Sequence, residues 1–126
     1  MFLKPLLDAP QAPWTLQNLS TGAVLARHLE PAFDSRTRRR GLLGRQGLTA
    51  GSAMILAPCN SIHTFFMRFP IDVVFAARDG RVVKLRHAMP ARRLAFNWKA
   101  FAVIELPAGA LQPSRTRPGD LLQIVR

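Results

Sequence analysis

The chain is short of cysteine, of carboxylates and of long apolar runs, and each shortage excludes something. Its 126 residues hold a single cysteine, Cys59, so no internal disulfide can form, which fits a reducing compartment and leads us to expect a cytoplasmic protein. No run approaches the roughly 18 consecutive apolar residues that would cross a bilayer as a helix, and no membrane association is expected. Pro5, Asp8 and Pro10 interrupt the opening Met1–Pro10 segment before the apolar region of a secretory signal could develop, so no cleaved leader is expected. The chain has no H-x-x-x-H and no C-x-x-C, and its three histidines and one cysteine are scattered; a zinc site needs several such ligands converging. Neither a metal nor a cofactor is expected. There is also no internal repeat and no low-complexity segment.

What the chain has in excess is positive charge. Eighteen Lys or Arg stand against seven Asp or Glu, a formal net charge of +11, and such a balance attracts nucleic acid, anionic lipid or acidic small molecules. Arginine outnumbers lysine fifteen to three, which a G- and C-rich genome would also produce. Such a bias does not explain why five arginines crowd into Arg36–Arg45, although an exposed helix face can carry such a run without any function.

The length suits one domain, residues 1–126, burying about two-thirds of its unfolded surface. Residues 1–12 read as an extended or loosely held arm. Trp14–Leu19 and Ala23–Leu29 flank Ser20-Thr21-Gly22 as a hairpin. Asp34 or Ser35 is placed to cap a short helix through Arg36–Leu43, with Gly44 suited to a left-handed end. Ala53–Leu56, Ile62–Met67 and Ile71–Phe75 follow as strands, the last two separated by a bend at Arg68-Phe69-Pro70. Alternation sends His63, Phe65 and Met67 to one face and Ile62, Thr64 and Phe66 to the other. Asp79-Gly80 predicts a tight hairpin into Val82–His87, Ala88–Ala100 reads as a long loop, and Ala102–Leu106 and Leu121–Val125 close the chain as strands. Strands dominate.

Within this pattern Cys59–Phe75 stands out, because an apolar, strand-like segment carries His63, Arg68 and Asp72. Burying a charge costs several kcal/mol unless it is paired or hydrogen-bonded, so these groups must satisfy one another or meet a ligand.

At this point the residues resemble a known family. R-R-R-G-L-L-G-R (Arg38–Arg45), I-H-T-F-F-M-R-F-P-I-D-V-V-F (Ile62–Phe75), D-G-R-V-V (Asp79–Val83), I-E-L-P-A-G (Ile104–Gly109) and P-G-D (Pro118–Asp120) are similar, in order and spacing, to the signatures of domain of unknown function 192, a family of small prokaryotic proteins. The likeness covers roughly residues 14–126. It departs at Leu43, where Met is usual, at Phe66, where many members carry Trp, and at Arg68-Phe69-Pro70, which replaces the commoner Lys-Asn-Thr. The resemblance implies a mainly β domain, a small, curved, barrel-like antiparallel sheet with one short helix near residues 35–44, and no assigned activity.

Three chemistries can therefore be argued from the side chains. Arg38 and Arg45, on the helix and its exit, can face His63 and Arg68 and form a pocket for a phosphate, sulfate or carboxylate, with Asp72 or Glu105 orienting the guanidinium groups. Beside it stands a purely structural alternative in which Arg38 pairs with Asp72 or Glu105 and pins helix to sheet. Second, Phe65, Phe66, Phe69 and Trp98 on a basic β domain can stack the bases of a single-stranded nucleic acid, though no RNP, KH or cold-shock signature accompanies them. Third, Asp72 and Glu105 with His63 can serve a hydrolase if their separation allows. A Cys59–His63 pair would span too much extended chain for contact unless the intervening turn folds back. Nothing in the sequence specifies an oligomeric state.

Overall fold

A computed structural model describes all 126 residues. In chain order the elements are α1 (Lys4–Asp8), β1 (Thr15–Asn18), β2 (Val24–Ala26), β3 (His28–Ala32), α2 (Ser35–Arg40), β4 (Ser52–Leu56), β5 (Ser61–His63), β6 (Ile71–Ala76), β7 (Val82–Met89), β8 (Leu94–Phe96), β9 (Ala102–Pro107), α3 (Leu111–Ser114) and β10 (Leu122–Val125). The protein is mainly β, as expected. The sheets do not close into a barrel, and there are three short helices rather than one. A five-stranded sheet, β3-β4-β9-β6-β7, lies between a three-stranded sheet, β10-β1-β2, and a two-stranded ribbon, β5-β8.

The inner strands β4, β9 and β6 are buried on both faces, and their two-residue period sorts side chains into two cores. Val74, Ala76, Ile104 and Leu106 point toward β10-β1-β2, where Leu16, Leu25, Leu122 and Ile124 meet them. Ile71, Val73, Phe75 and Val103 point the other way, onto Leu42, Ile62, Met67 and Ala95. The alternation expected along Ile71–Phe75 is thus present, with no face left for solvent.

Not every pairing is antiparallel. β3 and β4 run parallel, with Leu29 opposite Ala53 and Pro31 opposite Ile55. A parallel pair cannot be joined by a tight turn, so residues 33–51 cross over and bring α2 to the second core. The Asp34 carboxylate caps α2 by accepting from Thr37 N–H at 2.8 Å, and Gly41 ends it at φ 49°, donating to Thr37 O. The helix therefore stops before the expected Leu43, and Leu42 turns inward.

Residues 1–12, expected as a loose arm, are docked instead. Leu3 and Leu6 are fully buried in the first core, each such burial contributing about 1.5–3 kcal/mol. Pro5 falls in the first turn of α1, where its missing N–H has no helical partner to lose. The loop expected over Ala88–Ala100 is also partly regular, since β7 runs on to Met89 and Leu94–Phe96 pairs with β5. Conversely, Ile62–Met67 leaves the extended conformation after His63. The Thr64 hydroxyl donates to Pro90 O at 2.6 Å and accepts from Arg93 N–H at 3.0 Å, and the turn it holds swings Met67 into the core beside Ile62 rather than onto the face of His63.

The hairpin at Asp79-Gly80 forms as expected between β6 and β7. Gly80 is required twice over, by its φ of 93° and because a Cβ there would lie 2.3 Å from Leu122 O. Asp72, fully buried, accepts from Ala88 N–H at 2.7 Å and from Gly109 and Leu111 N–H at 3.0 Å. One carboxylate thereby fixes an irregularity of β7 and the turn from β9 into α3.

Removing that acceptor strands three backbone donors. Asp72→Ala is expected to lower unfolding free energy by about 3–5 kcal/mol in denaturant titration, whereas exposed Arg68→Ala should stay within about 0.5 kcal/mol.

Candidate functional site

Residues 33–51 cross one face of the central sheet, and β5-β8 covers the same face further along. Between them α2, its exit turn, β5 and β9 enclose a cavity of about 390 Å³. It is lined by Arg38, Arg39 and Arg40 of α2, by Cys59, Ser61 and His63 in and just before β5, and by the apolar Leu42, Leu43, Ile62 and Met67. Glu105 comes up from the sheet behind.

Glu105 sits in β9 between Met54 of β4 and Val73 of β6, on the same sheet face as both. It is 5% exposed, and its Oε1 has no hydrogen-bond partner. Removal from water pushes its carboxyl pKa up to about 7, a rise only partly opposed by the positive charge of Arg45. Near neutrality the cavity therefore holds a carboxyl poised between neutral and charged. Cys59 also borders the cavity; its thiol donates to Ser61 O at 3.1 Å, and burial raises its pKa, which disfavours the thiolate a nucleophile needs.

Of the six residues singled out from the sequence, Arg38, His63 and Glu105 share this cavity. Arg38 is tied by one guanidinium nitrogen, Nη1, to Phe33 O at 2.8 Å and Ala57 O at 3.3 Å. It pins the crossover to the ends of β3 and β4 through carbonyls, not through Asp72 or Glu105, and its remaining donors have no partner in the protein. Arg45 stands outside the cavity wall, its two Nη groups on the Glu30 carboxylate; this pairing raises its own pKa. Arg68 lies exposed on the surface and is not part of this cavity's lining.

Asp72 is the clearest correction. Val73 is the cross-strand neighbour of Glu105, so Asp72, one residue earlier, points to the opposite face of the sheet. The Asp72–Glu105 dyad that hydrolysis would require is separated by the sheet itself, and Asp72 is fully engaged by backbone donors. Arg39 and Arg40, not singled out from the sequence, also line the cavity. Both remain exposed at the end of α2, while the turn at Gly41 sends Leu42 into the second core.

Burial of Glu105 also ties folding to pH. Its pKa is about 7 folded against an ordinary 4.5, so between these values the native state binds the extra proton and stability falls as pH rises. Glu105→Gln is expected to abolish this slope, worth on the order of 3 kcal/mol across the window, and to be more stable than the parent above about pH 7. Thermal or denaturant unfolding at stepped pH measures both; a slope unchanged by the substitution would contradict the buried, unpaired carboxyl.

No curated protein matches the sequence. Among solved structures, the fold is similar to that of a protein of unknown function from Novosphingobium aromaticivorans DSM 12444, at TM-score 0.75 and 24% identity over 89% of this chain and 84% of that one. It is also similar to a putative transcription regulator from Sinorhizobium meliloti 1021, at TM-score 0.74 and 22% identity over 88% of this chain and 91% of that one. Likenesses at these identities speak to the fold. The family model for domain of unknown function 192 (DUF192), described as "Uncharacterized ACR", matches residues 17–124, and the chain belongs to that family.

Proposed function

We propose that the protein binds a small anionic ligand, one bearing a phosphate, sulfate or carboxylate group, in the cavity between α2 and β5. The observation that carries this reading is the buried, unpartnered Glu105 Oε1 in a cavity whose wall holds three arginines. A buried polar atom left without a partner costs about 1–3 kcal/mol, and a ligand that supplies the partner recovers that cost. Three guanidinium groups against one half-neutral carboxyl leave the cavity electropositive. Arginine binds oxyanions through paired, charge-assisted hydrogen bonds. Arg39 and Arg40 are exposed and free to close on a ligand, and Arg38 has unused donors directed by its anchored Nη1. His63 lines the same cavity and adds a further donor.

Glu105 then acts as a proton-linked partner. In its neutral form the carboxyl donates a hydrogen bond to a ligand oxygen, whereas in its charged form it repels the anion. Binding therefore takes up a proton at Glu105, and affinity rises as pH falls through about 7. The apolar side formed by Leu42, Leu43, Ile62 and Met67 accommodates a short carbon body beside the anionic group. The site residues in this reading are Arg38, Arg39, Arg40, His63 and Glu105; Arg45 contributes charge at a distance, and Arg68 and Asp72 take no part.

Calorimetric titration with inorganic phosphate, sulfate and citrate at low ionic strength is expected to give saturable binding by at least one of them. Arg39→Ala with Arg40→Ala should weaken it by about tenfold or more, and Glu105→Gln should flatten its dependence on pH. Failure of all three anions to bind saturably would sink the proposal.

A further inference from the structure

β5 lines the cavity, and the ribbon it forms with β8 carries exposed apolar side chains on its outer face. Ile62 and Ala95 point inward and are buried, so the two-residue period turns Ser61, His63, Leu94 and Phe96 outward. Leu94 is 69% and Phe96 55% exposed. Ser61 stands opposite Phe96, and His63 opposite Leu94, which sets each exposed apolar side chain about 5 Å, Cβ to Cβ, from a residue of the cavity wall. Trp98 lies beyond one end of the ribbon and Phe65 and Phe66 beyond the other. These three and Phe96 are all the exposed aromatics of the chain.

Phe66 is the most exposed of them, and its backbone is left-handed at φ 67°. That conformation costs a non-glycine residue about 1–2 kcal/mol, and no burial of the ring offsets it. Strain of this kind, kept where it holds a side chain out into solvent, points to use of that side chain.

The charges around these rings have one sign. Arg68, Arg92, Arg93 and Lys99 are exposed, and the Lys84 ammonium is held on Phe96 O at 3.0 Å. Neither residues 59–71 nor residues 88–100, which carry the rings, contain a carboxylate. The partner that fits alternating rings and guanidinium groups is a flexible polyanion that itself carries flat aromatic groups. A lipid surface would supply anionic charge and an apolar interface but no flat groups for the rings to stack on, and the rings stand at both ends of the ribbon. A duplex keeps its bases stacked on one another.

We infer that the outer face of β5-β8 is a stacking platform for single-stranded nucleic acid, which lays bases on Phe96, Trp98 and Phe66 and a backbone phosphate in the adjoining cavity. This rests on the reading of that cavity as an anion site. Aromatic rings bind bases of any sequence through their faces, and arginines supply a salt-sensitive attraction to the backbone.

The test uses the full chain and a labelled oligouridylate of about 12 nucleotides, within the usual range of site sizes, followed by fluorescence anisotropy at several salt concentrations. Binding that weakens steeply with salt is expected. Phe96→Ala with Trp98→Ala should weaken it about tenfold or more while leaving phosphate binding unchanged, and Arg39→Ala with Arg40→Ala should weaken both and shallow the salt slope. Phosphate binding without oligonucleotide binding overturns this inference and leaves the anion site standing. Undiminished oligonucleotide binding by the Phe96/Trp98 variant overturns the platform, and undiminished binding by the Arg39/Arg40 variant overturns its link to the cavity. Binding to phosphatidylglycerol vesicles with none to the oligonucleotide would reassign the surface to lipid.

Discussion

Burial of the inner strands of the central sheet on both faces is the constraint on which the rest of the structure depends. Because side chains alternate along a strand, a polar residue in β6 or β9 has nowhere to meet water and must find a partner within whichever core it enters. Asp72 enters the first core and is satisfied there by three backbone donors. Glu105 enters the second and is not. Two carboxylates on adjacent strands, one residue out of step, thus become a structural clamp and a candidate ligand group.

The same constraint determines what covers the sheet. The first core is closed by β10-β1-β2 together with the N-terminal turn of helix, and its polar seam is sealed by Asn18, whose amide donates to Thr116 Oγ1 and Asp120 Oδ2, each at 3.0 Å. That is the role of the Gly119-Asp120 signature: Asp120 also accepts from Arg117 N–H, and these bonds hold its carboxyl below the ordinary range. The second core is closed less completely. A six-residue helix and a short ribbon leave a gap between them, and the gap lies over Glu105. In this protein the better packed face carries the fold, and the less covered one carries the candidate site.

Much of the fold was legible in the sequence because hairpins and caps are local. The Asp79-Gly80 turn, the Asp34 cap and the alternation of Ile71–Phe75 each depend on residues within a few positions of one another. The parallel pairing of β3 with β4, the docking of Leu3 and Leu6, and the reversal after His63 depend on contacts between distant segments. Thr64, for example, leaves the strand because of Pro90 and Arg93, and nothing near Thr64 in the chain announces them.

The candidate site divides along the same line. The sequence by itself determined the inventory: an excess of arginine gathered around one short helix, and a histidine and carboxylates within otherwise apolar strands. Only the tertiary structure decided which of them meet. Strand register placed Glu105 in the cavity and Asp72 behind the sheet, Glu30 drew Arg45 away, and the crossover between the parallel strands laid Arg38, Arg39 and Arg40 along the same cavity. The physical reason is that side-chain chemistry belongs to single residues, whereas burial, and with it the raised pKa of Glu105, belongs to the way separate strands and their coverings pack.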